Sequence, residues 1–198
     1  VVAKKLVAPA RVEARLVEAG GLQDVPAAVA RALEEKDSVG GLVECRAHGL
    51  PAGLGEPFFD SAESLIAHAA FAIPAVKGVE FGSGFACCRM RGSEFGDEIV
   101  SADGATATNH AGGINGGITN GNELVFRVAV KPTSSIPRAR RTVDLRTGKP
   151  AQVAVAGRHD ACIALRVPPV LEAVAALVLA DLMMLEGRIP RVVGKSGS

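Results

Sequence analysis

The chain has 198 residues, of which 48% are hydrophobic and 22% charged, and its formal net charge is +1. This composition supports a folded core in one large domain or two small ones, and it excludes an intrinsically disordered chain. Tyrosine and tryptophan are absent, so the stacking platforms that hold single-stranded nucleic acid are difficult to assemble, and we predict no nucleic-acid partner.

The first half of the chain alternates helices and strands. Val1 to Val7 is predicted to be the end of a helix that begins upstream, and Arg11 to Glu18 alternates apolar and polar residues as a strand does. Asp24 is the predicted N-cap of a helix from Val25 to Lys36, and Gly40 to Ala47 is a second predicted strand.

The second half is richer in strands. Ser61 to Phe71 is a predicted helix, and Val79 to Arg91 is predicted to form two paired strands broken at Gly82 to Gly84. Apolar runs predict three later elements: strands at Glu123 to Val130 and Val153 to Ala156, and an apolar helix at Pro169 to Leu185. This order of elements favours an α+β fold over a doubly wound one.

The four cysteines show no CxxC pair and no spacing to histidine typical of a zinc site, which predicts reduced thiols, a cytoplasmic location and no metal. Adjacent Cys87 and Cys88 would point to opposite faces of a strand and pair poorly. No signal peptide is recognised, and the longest apolar stretch, Ala173 to Leu185, is predicted to be too short for a bilayer span. The chain begins at Val1 without methionine, as a fragment would.

A glycine-rich segment from Asn109 to Gly121 holds five glycines and three asparagines in thirteen residues. Glycine admits positive φ angles and lets backbone amides approach a ligand, so successive amides here could form an anion nest. The spacing matches neither the dinucleotide fingerprint nor the P-loop. A structural turn and a ligand loop are equally good interpretations.

Two further motifs suit anions. Lys131 closes a predicted strand, and Pro132, Thr133, Ser134 and Ser135 follow it, so an ammonium lies beside three hydroxyls that can bind phosphate or flavin oxygens. An ordinary turn at a strand end is the alternative. Arg158-His159-Asp160 combines a fixed cation, a group that titrates near neutrality and a carboxylate, and a surface ion pair is its simpler interpretation.

The region from Arg127 to Arg158 contains eight basic residues and a single acid, Asp144. A solvated basic hairpin is one interpretation of Arg138 to Lys149, and nucleic-acid binding through the same residues is a weaker one.

Taken together, these motifs resemble the C-terminal half of chorismate synthase. The resemblance runs through six blocks in order: Gly53 to Asp60, Ala75 to Gly82, Asn109 to Gly113, Gly116 to Gly121, Lys131 to Ile136 and Gly157 to Asp160. It covers nearly the whole chain, as one C-terminal portion of such a domain, with residues 193–198 as a predicted flexible tail. It implies an α+β fold, a mixed β-α-β sandwich present here in part.

The resemblance also implies a chemistry. The family eliminates phosphate from 5-enolpyruvylshikimate 3-phosphate to give chorismate, with reduced FMN and no net redox change, and NADPH is a candidate reductant for the flavin. By analogy the FMN contacts are Pro74, Ala75, Gly116, Lys131 to Ser135 and Arg158. Arg158 would also contact the substrate, and Asp160 would assist proton transfer near the flavin.

The chain departs from the family pattern in three respects. Members are about twice as long, and their N-terminal half, with further histidines and arginines, is absent here. Pro74 stands where many members carry asparagine, and Ala161 replaces a usual proline. The resemblance implies a homotetramer, and we expect this chain alone to be inactive. The alternative is a non-catalytic flavin-binding, phosphate-binding or assembly module that retains half of the pocket.

Overall fold

A four-stranded antiparallel sheet organises the fold, which a computed structural model describes for residues 2–157 and 159–190. Within those residues the strands are β1 (Arg11–Ala19), β2 (Gly41–His48), β3 (Val76–Phe81), β4 (Ile114–Asn115), β5 (Ile118–Thr119), β6 (Leu124–Val130), β7 (Arg140–Val143) and β8 (Pro150–Val153). The helices are α1 (Val2–Leu6), α2 (Val25–Glu34), α3 (Ala62–Phe71), α4 (Gly92–Phe95) and α5 (Val167–Leu185).

The main sheet has the strand order β1-β2-β6-β3, while β4–β5 and β7–β8 are separate hairpins. One face of the sheet is apolar because alternate residues of each strand point toward the helices. Cys45 on β2 pairs with Phe126 on β6, and both are buried together with Val43 and Val128. Helices α1, α3 and α5 form the layer that covers this face.

The sequence explains where helices α2 and α3 begin. The Asp24 carboxylate accepts a hydrogen bond from the Ala27 amide at 3.0 Å, and Pro26 lies in the first turn of α2. The Ser61 hydroxyl accepts from the Ser64 amide at 3.0 Å at the start of α3. These contacts satisfy amides that a helix N-terminus leaves without intrahelical partners.

Helix α5 is the main apolar helix of the fold, and it packs on β1, β2 and α3. Together with the preceding 3₁₀ segment it forms a continuous stretch, Ile163–Leu185, of 23 residues and mean hydropathy 1.9. By length and composition this stretch could cross a membrane, so the prediction that the chain has no apolar segment long enough is wrong. In the fold Leu171 and Leu179 are fully buried.

The sheet edge at β1 is tied to the helical layer by one carboxylate. Glu172 on α5 accepts a hydrogen bond from the Ala14 amide at 2.9 Å and from Lys4 Nζ at 2.8 Å. Burial alone would raise the pKa of Glu172, but the hydrogen bonds from Lys4 and Ala14 outweigh it and hold the pKa below its ordinary value.

Most predicted elements are confirmed: the helices at α1, α2, α3 and α5, and the strands at β1, β2 and β6. The predicted strand Val153 to Ala156 is displaced, because β8 ends at Val153. The hairpin interpretation of the basic region is confirmed by β7 and β8.

The prediction of two paired strands from Val79 to Arg91 is wrong in its second half. Only β3 is extended, and the chain then enters a 3₁₀ segment, Gly84–Arg89. Gly82 and Gly84 both have positive φ, and the Glu80 carboxylate accepts from the Phe85 amide at 3.1 Å, which turns the chain away from the sheet. Cys87 and Cys88 therefore lie on a helical turn and not on a strand.

The second face of the sheet carries a cross-strand row of charges centred on Glu44. Its carboxylate contacts Arg46 Nε at 2.8 Å, Arg127 Nη2 at 2.9 Å and Arg15 Nη2 at 3.3 Å, although the residue is 4% exposed. Burial would raise the pKa of Glu44, but Arg46 and Arg127 outweigh it and hold the pKa at about 2.

We expect Glu44→Gln to lower the stability of the fold at pH 7 by about 2–3 kcal/mol. Because the pKa of about 2 in the folded state lies below the unfolded value of about 4.3, the carboxylate stabilises the fold fully above about pH 4.3. That contribution is lost as the pH falls toward 2, so the variant should lose less stability than wild type over this range. Urea midpoints measured from pH 2 to 7 test this.

The matched control is Glu13→Gln, which removes an exposed carboxylate of β1 from the same face of the sheet. It should leave the acid dependence of the urea midpoint unchanged. Identical pH profiles for Glu44→Gln and wild type would contradict the role assigned to Glu44.

Candidate functional site

The lysine motif lies at one end of the sheet, where β6 stops. The Lys131 amide donates to the Ala75 carbonyl at 2.9 Å, so the segments that carry the predicted FMN contacts Pro74, Ala75 and Lys131 are adjacent. Ala75 has a φ of 74°, in the left-handed region that non-glycine residues rarely adopt. Backbone strain of this kind persists only where neighbouring contacts enforce it, and it is common at binding sites.

Thr133 is held by its backbone and not by its hydroxyl. Its carbonyl accepts a hydrogen bond from Ser38 Oγ at 2.6 Å, and the Ser134 carbonyl accepts one from Arg140. The Thr133 Oγ1 atom is buried and has no hydrogen-bond partner in the described part of the chain. A buried hydroxyl without a partner is costly, so this atom is poised to bind a further group.

The charge beside this hydroxyl comes from Lys131. Its side chain is exposed, and Nζ reaches only the Pro132 carbonyl, at 3.5 Å, among its described hydrogen bonds. Ser135 is half-buried one step further along the chain. An ammonium, one buried hydroxyl without a partner and two further serine hydroxyls within a few residues fit the oxygens of a phosphate, which is the group that an FMN side chain carries.

Asp160 lies at the same end of the sheet. The Ala161 carbonyl accepts from the Val39 amide at 2.8 Å, and residue 38 contacts Thr133, so the two motifs meet through this short segment. Asp160 lines a cavity of about 270 Å³ whose other walls include Lys36, Asp37, Ile136, Pro137 and His159.

The Asp160 carboxylate is a surface ion-pair partner in this structure. It contacts Arg166 Nη2 at 2.8 Å, and its side chain is 44% exposed. His159 Nε2 lies 3.1 Å from the Val155 carbonyl. Arg158, predicted to contact FMN and substrate, falls outside the described residues, as does the tail at 193–198.

The glycine loop lies at the opposite end of β6. The Val125 amide donates to the Gly112 carbonyl at 3.1 Å, and the Asn120 amide donates to the Gly113 carbonyl at 2.9 Å. Gly116 and Gly117 form the two-residue turn between β4 and β5, with φ values of 59° and 88°. Positive φ at both central residues is the requirement of a type I′ hairpin turn.

The two ends are far apart because β6 separates them. A seven-residue strand is about 20 Å long, and Lys131 follows one end while the glycine loop bonds to the other. The three anion-binding motifs therefore do not form a single pocket within this chain. The structure brings Pro74, Ala75, Lys131 to Ser135 and Asp160 together, and it leaves Gly116 apart.

Asp97, which precedes the glycine-rich segment in the chain, binds that segment through its carboxylate, a contact that the sequence did not reveal. Its carboxylate accepts from the His110 amide at 2.7 Å, the Ala111 amide at 2.9 Å and Thr108 Oγ1 at 2.6 Å. Burial would raise the pKa of Asp97, but these hydrogen bonds outweigh it and lower the pKa. Two of the amides proposed as an anion nest thus already bind an internal carboxylate.

Gly116 faces a second cavity of about 270 Å³. Its walls include Phe81, Cys87, Phe95 and His110. The His110 ring stacks on Phe95 at a centroid distance of 6.1 Å, and its Nδ1 lies 2.7 Å from Ser83 Oγ. The Gly116 side of this cavity is open, because an added Cβ would meet no atom within 4 Å.

The basic region is divided between the sheet and the hairpin. Arg127 lies on β6 and pairs with Glu44, whereas Arg138 pairs with Asp37 at 3.0 Å. The arginines of β7 are exposed, as the solvated-hairpin interpretation expects. These ion pairs neutralise part of the positive charge of the basic region within the fold.

The fold is of the α+β class, and its lysine end carries an exposed ammonium and a buried hydroxyl that has no partner among the described residues. The family model for chorismate synthase matches residues 4–184. The chorismate synthase of Chitinophaga pinensis is 61% identical over 193 residues, which cover 97% of this chain and 58% of that protein. This chain belongs to the chorismate synthase family.

Two further comparisons agree. The chorismate synthase of Archaeoglobus fulgidus is 55% identical over 159 residues, covering 79% of this chain and 44% of that protein. A crystal structure of chorismate synthase superimposes with a TM-score of 0.76 at 25% identity, over 93% of this chain and 61% of the crystallised chain. The chain thus spans about three fifths or less of the length of these proteins.

Gly82→Ala and Gly116→Ala form a matched pair, because both glycines have φ between 54° and 59°. We expect Gly116→Ala to lower the free energy of unfolding by only about 1–2 kcal/mol, the cost of the left-handed backbone. Gly82→Ala adds a Cβ that overlaps the His110 carbonyl oxygen, so its cost should exceed about 3 kcal/mol. Urea denaturation measures both, and equal losses would show that the contact at Gly82 is not limiting.

Proposed function

We propose that this chain supplies part of the active site of a chorismate synthase, a carbon-oxygen lyase that eliminates phosphate from 5-enolpyruvylshikimate 3-phosphate with reduced FMN. The observation that carries the proposal is the buried Thr133 hydroxyl, which lacks a partner in the described residues, beside the exposed Lys131 ammonium. Both lie inside the region that the family model matches.

Lys131 to Ser135 would hold the flavin, and Pro74 and Ala75 would support it from the adjoining turn. The carbonyl of Ala75, whose backbone is strained, accepts from the Lys131 amide, so a hydrogen bond joins the two segments. Pre-organisation of this kind lowers the entropic cost of ordering a site when the ligand binds. Reduced FMN, when bound, would supply the electron-rich ring that assists loss of phosphate.

Asp160 would assist proton transfer at the flavin. Arg166 Nη2 donates to Asp160 Oδ1 at 2.8 Å, and Asp160 is one of the residues that line the cavity. Proton transfer needs the carboxylate within hydrogen-bond reach of the ring or of a water between them. Arg158 would balance the charges of phosphate and substrate.

The proposal includes partners beyond this chain. Helix α5 exposes Val170, Leu177 and Met184, which are seven residues apart and therefore share one face. Since the relatives are longer than this chain, that face is available for the second layer of the family's sandwich. We include a cytoplasmic location and a homotetramer in the proposal, and light scattering of the complete protein would report the latter.

The test compares this chain with a fusion that adds the part of the Chitinophaga pinensis relative lying outside the match. The fusion should bind reduced FMN and form chorismate anaerobically, and the chain alone should do neither. Lys131→Ala should weaken flavin binding by the fusion, whereas Lys149→Ala on the hairpin should not. A fusion that binds flavin without forming chorismate would favour a non-catalytic module, and tight FMN binding by the chain alone would refute its dependence on the added part.

We expect Thr133→Val to raise the stability of the chain while it weakens flavin binding. Removing a buried hydroxyl without a partner should raise the stability of the chain by about 1 kcal/mol, while the fusion should bind FMN about tenfold more weakly. Urea denaturation and flavin titration measure the two effects. Thr142→Val, at an exposed position of β7, should change neither quantity, and a Thr133→Val variant with full flavin affinity would exclude the hydroxyl from the site.

Asp160→Asn should lower the turnover of the fusion by roughly 100-fold while flavin affinity changes little, because proton transfer contributes about that factor or more. Anaerobic turnover and flavin titration on the same preparation measure both quantities. Asp144→Asn on the hairpin is the matched control. Parallel losses of turnover and affinity would indicate that Asp160 only shapes the pocket.

A further inference from the structure

The 3₁₀ segment Gly84–Arg89 places two thiols side by side at the surface. Cys88 is exposed and Cys87 is half-buried, and both are unoxidised. Cys87 also lines the cavity that Gly116 faces. Because the two residues are consecutive on one 3₁₀ turn, rotation of their side chains can bring both sulfurs to a single bridging atom.

The geometry of adjacent residues disfavours a direct disulfide. Consecutive Cα atoms are about 3.8 Å apart, whereas disulfides usually need about 4.4–6.8 Å. A bond between these sulfurs would therefore distort the peptide unit. A larger atom that bonds to both sulfurs closes a wider ring and avoids this distortion.

The remaining cysteines of the chain are inaccessible. Cys45 is fully buried between β1 and β6, and burial raises its pKa to about 12. Cys162 is 3% exposed. Soft electrophiles in solution therefore react only with the thiols of Cys87 and Cys88, since the reaction needs an accessible thiol.

We propose that Cys87 and Cys88 form a chelating site for trivalent arsenic, in which one arsenic atom bonds to both sulfurs. An organoarsenic oxide, R–As=O, reacts with the two thiols to form two As–S bonds. Its oxygen leaves as water with the two thiol protons, and the oxidation state of arsenic does not change. This inference is independent of the function proposed above.

Occupation of this site would alter the cavity that Gly116 faces. Cys87 lines this cavity together with Phe95 and His110, and the cavity measures only about 270 Å³. An arsenic atom with an organic substituent therefore takes a substantial part of that volume. Ligands of this cavity and arsenicals should then exclude each other.

The experiment treats the folded chain with phenylarsine oxide and records its intact mass. One phenylarsenic group should add with loss of one water, persist in excess monothiol, and leave with 2,3-dimercaptopropanol. Cys87→Ser and Cys88→Ser should each weaken binding by about 100-fold, because chelation by a second linked thiol is lost. Cys45→Ser and Cys162→Ser, with their folds checked by thermal unfolding, should keep the adduct.

Three outcomes would overturn the inference: no adduct on wild type, an adduct that monothiol removes, or an adduct that survives Cys88→Ser. The wild-type arm requires no variant to fold. The unfolded chain in urea serves as a reference, since all its thiols are accessible and more than one group should then add.

Discussion

The hydrogen-bonded register of β6 between β2 and β3 is the constraint on which the rest of the fold depends. Both neighbours pair with it antiparallel, so neither end of the strand can shift without breaking two ladders. At one end the Lys131 amide donates to the Ala75 carbonyl, and at the other the Val125 amide donates to the Gly112 carbonyl. A slip of one residue would also turn Phe126 and Val128 from the core toward the charged face.

This constraint gives the two ends of the sheet different chemistry. At the glycine-loop end the chain provides its own anion, Asp97, which satisfies two backbone amides and stabilises the loop without a ligand. At the lysine end no equivalent carboxylate meets the Thr133 hydroxyl within the described residues. At the first end a carboxylate of the chain already binds two loop amides, although the buried Asn109 Oδ1 lacks a partner among the described residues, while at the second end no carboxylate takes that place.

Local signals were sufficient for much of this architecture. The Asp24 and Ser61 caps, the alternation in β1 and the apolar run of β6 depend on neighbouring residues, so the sequence predicted these elements. The prediction of a second strand after β3 was wrong because the apolar residues there suggested a strand, whereas the positive φ angles of Gly82 and Gly84 turn the chain away from the sheet. Asp97 was missed because its partners lie 11 to 14 positions away, a spacing that carries no periodic signal. The separation of Gly116 from Lys131 likewise follows from sheet order, which composition does not encode.

The contact between Glu172 and the Ala14 amide has a consequence for how the molecule behaves in a crowded solution. β1 is an outer strand, and an outer strand with free amides is a template on which another chain can add. The carboxylate occupies one such amide and places a negative charge at the rim of the sheet. An incoming strand would have to displace it, so α5 protects the protein against edge-to-edge aggregation as well as filling its core.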